Sequence, residues 1–387
     1  MPTITTLRPS LVGRYNERHI VRLLQAHGPL SRAEVSRLSG LSAPTVSKAM
    51  FSLVASGMLE ETGLADNLRG RPANKIRLAT ESAQVIGVVI DREHCTILSA
   101  GLDGRLNNGV IKVNTPGTYM DLIQTVVEMC SVPIAREGIK TLGMAVSVPG
   151  LVDARTGMAM LSPNLSITNG HTPAKDVQSR LNVPCWLVQE LHGLCLAEKL
   201  YGSAKELNDY VLLDADVGLG VGVMLGGKLM LGNSGLAGEM GHIAAVPRGG
   251  RQCGCGNTGC VETVASGSAL AWRIGQSIGR TVTIDEGIQL ASADPKAFER
   301  ELNETAEALA IAVSAAINLF NPAGVFIYTR LFDIDASLFD RVANIAKSRS
   351  LKPSLESCQI ERALGTKQQG AIAAAVLNVT DAVADGI

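Results

Sequence analysis

No apolar run in this sequence approaches the roughly 18 to 20 residues needed to cross a bilayer. The opening M-P-T-I-T-T-L-R-P-S also lacks the charged-then-apolar pattern of a secretory signal. Together these absences predict a cytoplasmic protein. Charge is scarce: 18% of the 387 residues are Asp, Glu, Lys or Arg and 46% are hydrophobic, enough apolar material for two or three packed domains. Heptad repeats and low-complexity tracts are missing too. Cysteine is sparse, eight in all, and five of them (Cys95, Cys130, Cys185, Cys195, Cys358) lie scattered among apolar neighbours. That distribution suits reduced, buried thiols better than a disulfide framework.

What charge there is falls unevenly. The first 80 residues carry 11 Lys+Arg against 5 Asp+Glu, and the remainder carries 24 against 31. A basic amino-terminal module on a mildly acidic body points to a nucleic-acid partner for that end alone, although a basic solvated face gives the same count. Local patterning adds to it. Asn16 to His27 places Ile20, Leu23 and Leu24 at helical spacing, ended by Gly28-Pro29. Ser31-Arg32-Ala33-Glu34 is a capping box opening a second helix, with Val35 and Leu38 as its apolar face and Gly40 as its stop. Ser42-Ala43-Pro44 opens a third, lined by Val46, Met50, Leu53 and Val54.

Helix, glycine turn and helix with small polar residues at its exposed start make a helix-turn-helix whose second helix enters the major groove. Its outward residues are Ser42, Thr45, Ser47 and Lys48, short enough for close approach to phosphates and base edges. A strand from Gly57 to Glu61, a basic Leu68-Arg69-Gly70-Arg71-Pro72 turn and an alternating Lys75 to Leu78 strand follow as a wing, with Arg69 and Arg71 at its tip. The plainer alternative is a three-helix protein-interaction module with an ordinary basic hairpin.

From Ala83 onward, apolar strands alternate with helices: strands at 85–90, 95–99, 111–113 and 141–148 surround a helix at 119–136. A second block runs from Val211 through a helix at 301–319 to a strand at 324–328, with a hinge expected at 202–208. The expectation is a three-layer α/β body of two lobes with a cleft for a small ligand.

Cys253, Cys255 and Cys260 put three thiols into eight residues, interrupted by Gly254, Gly256 and Gly259, which let the chain turn tightly around an ion. His242, eleven residues before Cys253, is the nearest candidate for a fourth ligand. One imidazole and three thiolates form the closed tetrahedral set of a structural zinc site, with no open position for water. A redox-active thiol pair and chance clustering are the alternatives.

Gly238-Glu239-Met240-Gly241-His242 followed by Cys253-Gly-Cys-Gly-Asn-Thr-Gly-Cys260-Val-Glu262 resembles the signature of the ROK family, which joins sugar-responsive repressors and sugar kinases. A winged helix-turn-helix ahead of such a body is similar to the repressor branch. The resemblance implies an α/β protein with an N-terminal winged helix-turn-helix and a two-lobed actin/hexokinase-like, ribonuclease H-like body. Its implied boundaries are 1–80 for the DNA-binding domain, 81–204 for the first lobe (completed by a C-terminal helix at 366–387) and 205–365 for the second lobe with its zinc loop. It also implies that Glu239, His242 and Glu262 contact sugar hydroxyls, which carboxylates and a metal-fixed imidazole suit chemically. Asn164 resembles the family's asparagine after the Val148-Pro149-Gly150 turn, with turn capping as its plainer role.

A kinase of this family carries a D-x-G-G-T phosphate loop after the first strand, whose glycines let backbone amides reach the nucleotide. Here Asp91-Arg92-Glu93-His94-Cys95-Thr96 stands in its place. Gly218-x-Gly220-x-Gly222 keeps the second loop's glycines but has Val217 before them, and Tyr328-Thr329 stands at the adenine side. The family's Asn-Asp pair aligns with Gln189-Glu190, so Glu190 is expected to hydrogen-bond the sugar or simply fill space. These departures predict that phosphoryl transfer is lost. The function expected is a sugar-responsive repressor of carbohydrate-utilisation genes: an oligomer, at least a dimer, on a palindromic operator, with a monosaccharide or derivative as effector. A residual sugar kinase and a regulator answering to another protein are the alternatives.

Overall fold

The computed structural model describes residues 9–62, 74–107 and 109–385. These described residues fall into two compact units: the first takes those within 1–152, 156–193 and 367–387, the second those within 153–155 and 194–366. Among the described residues no helix is long and apolar enough to cross a membrane.

The first unit opens with α1 (Pro9–His27), β1 (Leu30–Ser31), α2 (Arg32–Ser39), α3 (Ala43–Ser56), β2 (Leu59–Glu61) and β3 (Lys75–Leu78). The three strands pair antiparallel in the order β1-β3-β2, a winged helix-turn-helix. Its local chemistry follows the sequence closely. Both halves of the Ser31/Glu34 capping box form, Ser42 caps α3 by accepting from the Thr45 N–H, and Gly40 and Gly57 end their helices in the left-handed conformation. Helix α1 begins seven residues earlier than the Asn16 start expected. Two apolar assignments also change: Leu38 and Val54 are 38% and 39% exposed, and Ala49 joins Val46, Met50 and Leu53 on the buried stripe.

The body of this unit adds β4 (Ala83–Ile90), β5 (His94–Ala100), β6 (Ile111–Asn114), α4 (Tyr119–Ile134), β7 (Lys140–Val148), a small β8 (Leu151–Asp153)/β9 (Met158–Leu161) hairpin, α5 (Pro173–Leu181), β10 (Cys185–Gln189) and the start of α6 (Glu190–Leu200). The second unit holds β11 (Tyr210–Asp214), β12 (Gly220–Leu225), β13 (Lys228–Leu229), α7 (Glu262–Ala265), α8 (Gly267–Ile278), α9 (Ile284–Ala293), α10 (Glu299–Phe320), β14 (Gly324–Tyr328), α11 (Ser337–Arg349), α12 (Lys352–Leu355) and β15 (Gln359–Arg362). The last helix, α13 (Lys367–Asp385), returns to the first unit.

The two units repeat one plan. The first sheet runs β6-β5-β4-β7-β10 and the second β13-β12-β11-β14-β15. In each, the three strands met first are antiparallel and the last two parallel. The parallel pairs need helical crossovers that cover the faces, which is why β4 is buried along its whole length. This duplicated sheet is the architecture of the actin/hexokinase-like fold.

One carboxylate gathers much of the hydrogen bonding where the winged module meets its unit's sheet. Glu60 on β2 accepts from Arg77 Nε at 2.8 Å, from the Thr80 N–H and hydroxyl at 3.1 Å, and from the Ser82 N–H at 3.0 Å and hydroxyl at 2.7 Å. Residues 80–82 are the link from β3 into β4. Burial works to raise the Glu60 pKa, but the hydrogen bonds from Ser82, Thr80 and Glu81 win and hold it at about 2, against an ordinary 4.5. The folded value is depressed, so its stabilisation is present above pH 4.5 and is lost as the pH falls towards 2, amounting to at most about 3 kcal/mol. Glu60→Gln is expected to lower the unfolding free energy at neutral pH and to flatten that acid limb, as read by denaturant titration across the range.

Candidate functional site

Between β13 and α7 the second unit carries a loop region with little regular structure, set in place by backbone fit against β12. Gly238, at φ +104°, and Gly241 lie so close to the Val221 and Leu219 carbonyls that any Cβ would collide with them. The two glycines of Gly238-Glu239-Met240-Gly241-His242 therefore let a 3-10 turn at Met240–His242 sit directly on the strand edge. The following segment folds back as a hairpin: the Ala245 and Val246 N–H groups donate to Gly259 O, and the Val261 N–H donates to Ile243 O.

That fold brings the four expected ligands together. One donor atom each from His242, Cys253, Cys255 and Cys260 lies within 4.8 Å of all the others. His242 Nδ1 is 3.5 Å from Cys253 Sγ, and Cys255 Sγ is 3.7 Å from Cys260 Sγ. Zinc bonds of about 2.3 Å to sulfur and 2.0–2.1 Å to nitrogen give tetrahedral edges of about 3.8 Å and 3.6 Å, so the donor set fits a tetrahedral ion. At 3.7 Å Cys255 and Cys260 are not joined by a disulfide. Of the interrupting glycines, Gly256 and Gly259 take positive φ, whereas Gly254 has ordinary geometry and open space around it, so two rather than three turn the chain. Without a cation, burial pushes the Cys253 thiol up to about 12 and raises that of Cys260, while the Asn257 N–H lowers that of Cys255. A bound ion displaces those protons.

The cluster extends outward on both sides. The far nitrogen of the imidazole, Nε2, lies 3.7 Å from Glu239 Oε2, so the ring has one nitrogen towards the thiol cluster and the other towards a carboxylate. Glu262, at the start of α7, turns back: its Oε2 accepts from the Leu219 N–H at 3.1 Å and its Oε1 is 3.5 Å from Cys253 Sγ. The carboxylate lies against Gly218, where a Cβ would collide with Oε2. Glu239, His242 and Glu262 are all partly exposed. The second unit thus presents two carboxylates and an imidazole around the thiol cluster, Glu239 against the imidazole and Glu262 against Leu219 and Cys253.

The remaining candidates lie in the first unit. Asn164 is exposed in the turn after β9, and the capping there is done by others: the Leu165 N–H donates to Ser162 Oγ at 3.1 Å and the Ser162 N–H to Asn169 Oδ1 at 2.8 Å. Glu190, the first residue of α6, pairs with Lys367 Nζ at 2.9 Å, a partner that nothing in the sequence marked. On α3, Ser42, Ser47 and Lys48 are exposed and Thr45 is half-buried, its hydroxyl 2.8 Å from that of Ser42. Arg69 and Arg71 lie outside the described residues.

The segments aligned with nucleotide loops are occupied by internal contacts. Asp91 Oδ1 accepts from the Glu93 and His94 N–H groups, both at 2.8 Å, making the β4–β5 connection a tight acid-centred turn. In the second unit Arg330 donates from Nε and its backbone N–H to Asp216, with Asp285 on its other nitrogen. The Asp216 hydrogen bond is the main cause of a raised Arg330 pKa. The Asp216 carboxylate, two residues before Gly218, is thus taken up by Arg330.

Comparison with known proteins agrees with this architecture. Residues 14–60 match the family described as "Winged helix-turn-helix DNA-binding" and residues 85–380 that described as "ROK family". The N-acetylglucosamine repressor of Escherichia coli O157:H7 is 27% identical over 361 residues, covering 88% of this chain and 87% of that protein. The xylose repressor of Caldicellulosiruptor bescii is 26% identical over 374 residues, covering 91% and 92%. Among solved structures, a ROK family transcriptional regulator described as a homolog of the E. coli MLC protein superposes with a TM-score of 0.82 at 24% identity, over 97% of this chain and 98% of that one. A ROK hexokinase from Thermus thermophilus superposes with a TM-score of 0.65 at 25% identity, over 77% and 99%. The hexokinase covers the body only, and the regulator covers the winged module as well. With the family match spanning most of its length, a winged helix-turn-helix ahead of a duplicated α/β body and a His/Cys3 cluster within that body's second unit, this chain belongs to the ROK family.

Proposed function

We propose that this protein is a sugar-responsive transcriptional repressor in which a structural zinc ion on His242, Cys253, Cys255 and Cys260 holds the sugar-reading side chains in place. The observation that carries the reading is the two-faced imidazole: Nδ1 belongs to the sulfur cluster while Nε2 faces Glu239. With the ion on Nδ1, the ring must keep its proton on Nε2 and becomes a fixed donor beside a fixed acceptor, a pair suited to adjacent hydroxyls. Glu239, His242 and Glu262 are its reading set, with Asn164 and Glu190 as further contacts. The names of the relatives, an N-acetylglucosamine repressor and a xylose repressor, support a monosaccharide or a derivative of one as effector.

Catalysis is absent in this reading. The carboxylate of Glu190 is engaged in an ion pair with Lys367, and the departures at Asp91–Thr96, Val217 and Tyr328-Thr329 remove the residues with which a kinase of this family holds its nucleotide. The fold shared with a hexokinase supports the one rival worth testing, a residual sugar kinase, which ATP-dependent phosphorylation of a sugar would reveal.

At the other end, the exposed start of α3 is the DNA reader, with Ser42, Thr45, Ser47 and Lys48 as its contacts and Arg69 and Arg71 as those of the wing. A homodimer on a palindromic operator follows from half-sites spaced by roughly 34 Å. Lys48→Ala, tested on DNA selected by the protein from a randomised pool, is expected to weaken binding about equally across sequences and to reduce the salt-dependence slope by about one. Unchanged affinity and slope would remove α3 from the interface.

A further inference from the structure

The Glu190–Lys367 ion pair is a poor choice for stability alone. Both side chains are largely buried, at 15% and 23% exposed. Glu190 begins α6, where a carboxylate is favoured, but Lys367 begins α13, where the helix dipole disfavours a cation. The carboxylate therefore holds α13's first turn in an electrostatically unfavourable arrangement. The two helices touch one turn further in: a Cβ on Gly193 would come within 3.3–3.4 Å of the Gly370 backbone.

From that turn α13 runs as one unbroken helix over β4 and β7, seated tightly enough that a Cβ on Gly87 would lie 3.0 Å from that of Ala371. Its far end belongs to the DNA-reading module. Helix α1 packs along it, and Arg18 Nε on α1 pairs with Asp381 Oδ1 at 3.0 Å. Lys367 and Asp381 are separated by about 21 Å of helix at about 1.5 Å per residue. A rigid rod thus joins a proposed effector contact to the first helix of the winged helix-turn-helix, with an ion pair at each end.

We infer that Lys367 is a positioning residue that couples effector binding to DNA binding: a sugar hydroxyl donating to Glu190 competes with the ammonium, and the released first turn lets α13 shift and carry α1 with it. The two discrete arrangements are the ion pair closed and the ion pair opened. The inference rests on the reading that Glu190 faces the effector.

The test compares wild type, Lys367→Met, Lys367→Arg and Asp381→Asn, each as the zinc-loaded full chain. DNA affinity is measured with and without saturating D-glucose, D-xylose or N-acetyl-D-glucosamine in separate arms, and sugar binding by melting shift. In the wild type one of these sugars is expected to change DNA affinity roughly tenfold or more. Asp381→Asn should bind DNA within about twofold of wild type in the absence of sugar and still bind the sugar, yet show a coupling ratio near one. Lys367→Met should lose coupling likewise and Lys367→Arg should keep it. Full coupling in Lys367→Met overturns the inference, as does full coupling in Asp381→Asn, which keeps the test decisive if the lysine variant folds poorly. A wild type that answers to none of the sugars overturns the functional reading itself, and the inference with it.

Discussion

Cys260→Ala is expected to empty the cluster, dropping bound zinc from one equivalent to none and abolishing the sugar response while leaving the winged module folded. The thiol is fully buried, and the segment carrying it closes the hairpin in which Gly259 O accepts from Ala245 and Val246. Losing one of four ligands leaves a site that cannot complete a tetrahedron, and binding free energies of about 10–16 kcal/mol for structural zinc sites show how much order is at stake. Without the ion His242 loses its fixed tautomer, and Glu239 and Glu262 lose the neighbour that orients them. Sugar affinity should fall by about 100-fold or more, beyond the 10–100-fold typical of groups that act through a ligand. A chelator should reproduce the effect on the wild type. Retention of zinc and sugar response by Cys260→Ala would contradict it.

Gly218→Ala should abolish the sugar response by a different route, with zinc retained. The glycine lies in the loop before β12, and its replacement would drive a methyl group into the Glu262 carboxylate. That carboxylate must swing away, leaving the Leu219 N–H without its acceptor at a cost of about 1–3 kcal/mol. Glu262→Ala should give the same loss, and the double variant should be no worse than either alone, because both changes remove one group. Metal analysis separates this pair from Cys260→Ala. Should Gly218→Ala bind sugar normally while Glu262→Ala does not, the alanine has been accommodated by a backbone shift and the close approach is not what fixes Glu262.

How much of this was legible in the sequence depended on the range of each interaction. The capping residues of α2 and α3 and the Gly40 stop follow from contacts three or four residues apart, and the β3 strand at Lys75–Leu78 from its alternation; they stand where expected, whereas Gly57, expected to open a strand, ends α3 and the strand begins at Leu59. The metal-ligand set was readable for a related reason: three cysteines close in sequence and one histidine eleven residues earlier need only one hairpin to meet. The start of α1 at Pro9 lies seven residues before the Asn16 that the helical spacing picked out. Val54 and Leu38 went astray because periodicity gives the direction of a face but not its width, and both sit at the margin of theirs. Glu60 reads as a surface residue next to another glutamate, yet it gathers donors about twenty positions away. The Lys367 pairing was not legible either: the family resemblance placed a C-terminal helix at 366–387 with the first lobe, but no local pattern says which side chain its first turn sets against Glu190. The same holds for Arg330 and Asp216, 114 residues apart.

The central claim is that a sugar held beside the metal cluster alters the grip of α3 on DNA without any phosphoryl transfer. The most direct measurement is the fraction of zinc-loaded protein bound to its selected DNA as a monosaccharide is titrated in, run in parallel with and without ATP and magnesium. A saturable change in DNA affinity of roughly tenfold or more with one sugar, identical in both arms, is expected. A change that appears only with ATP, or no change with any neutral, N-acetylated or phosphorylated sugar, would contradict it.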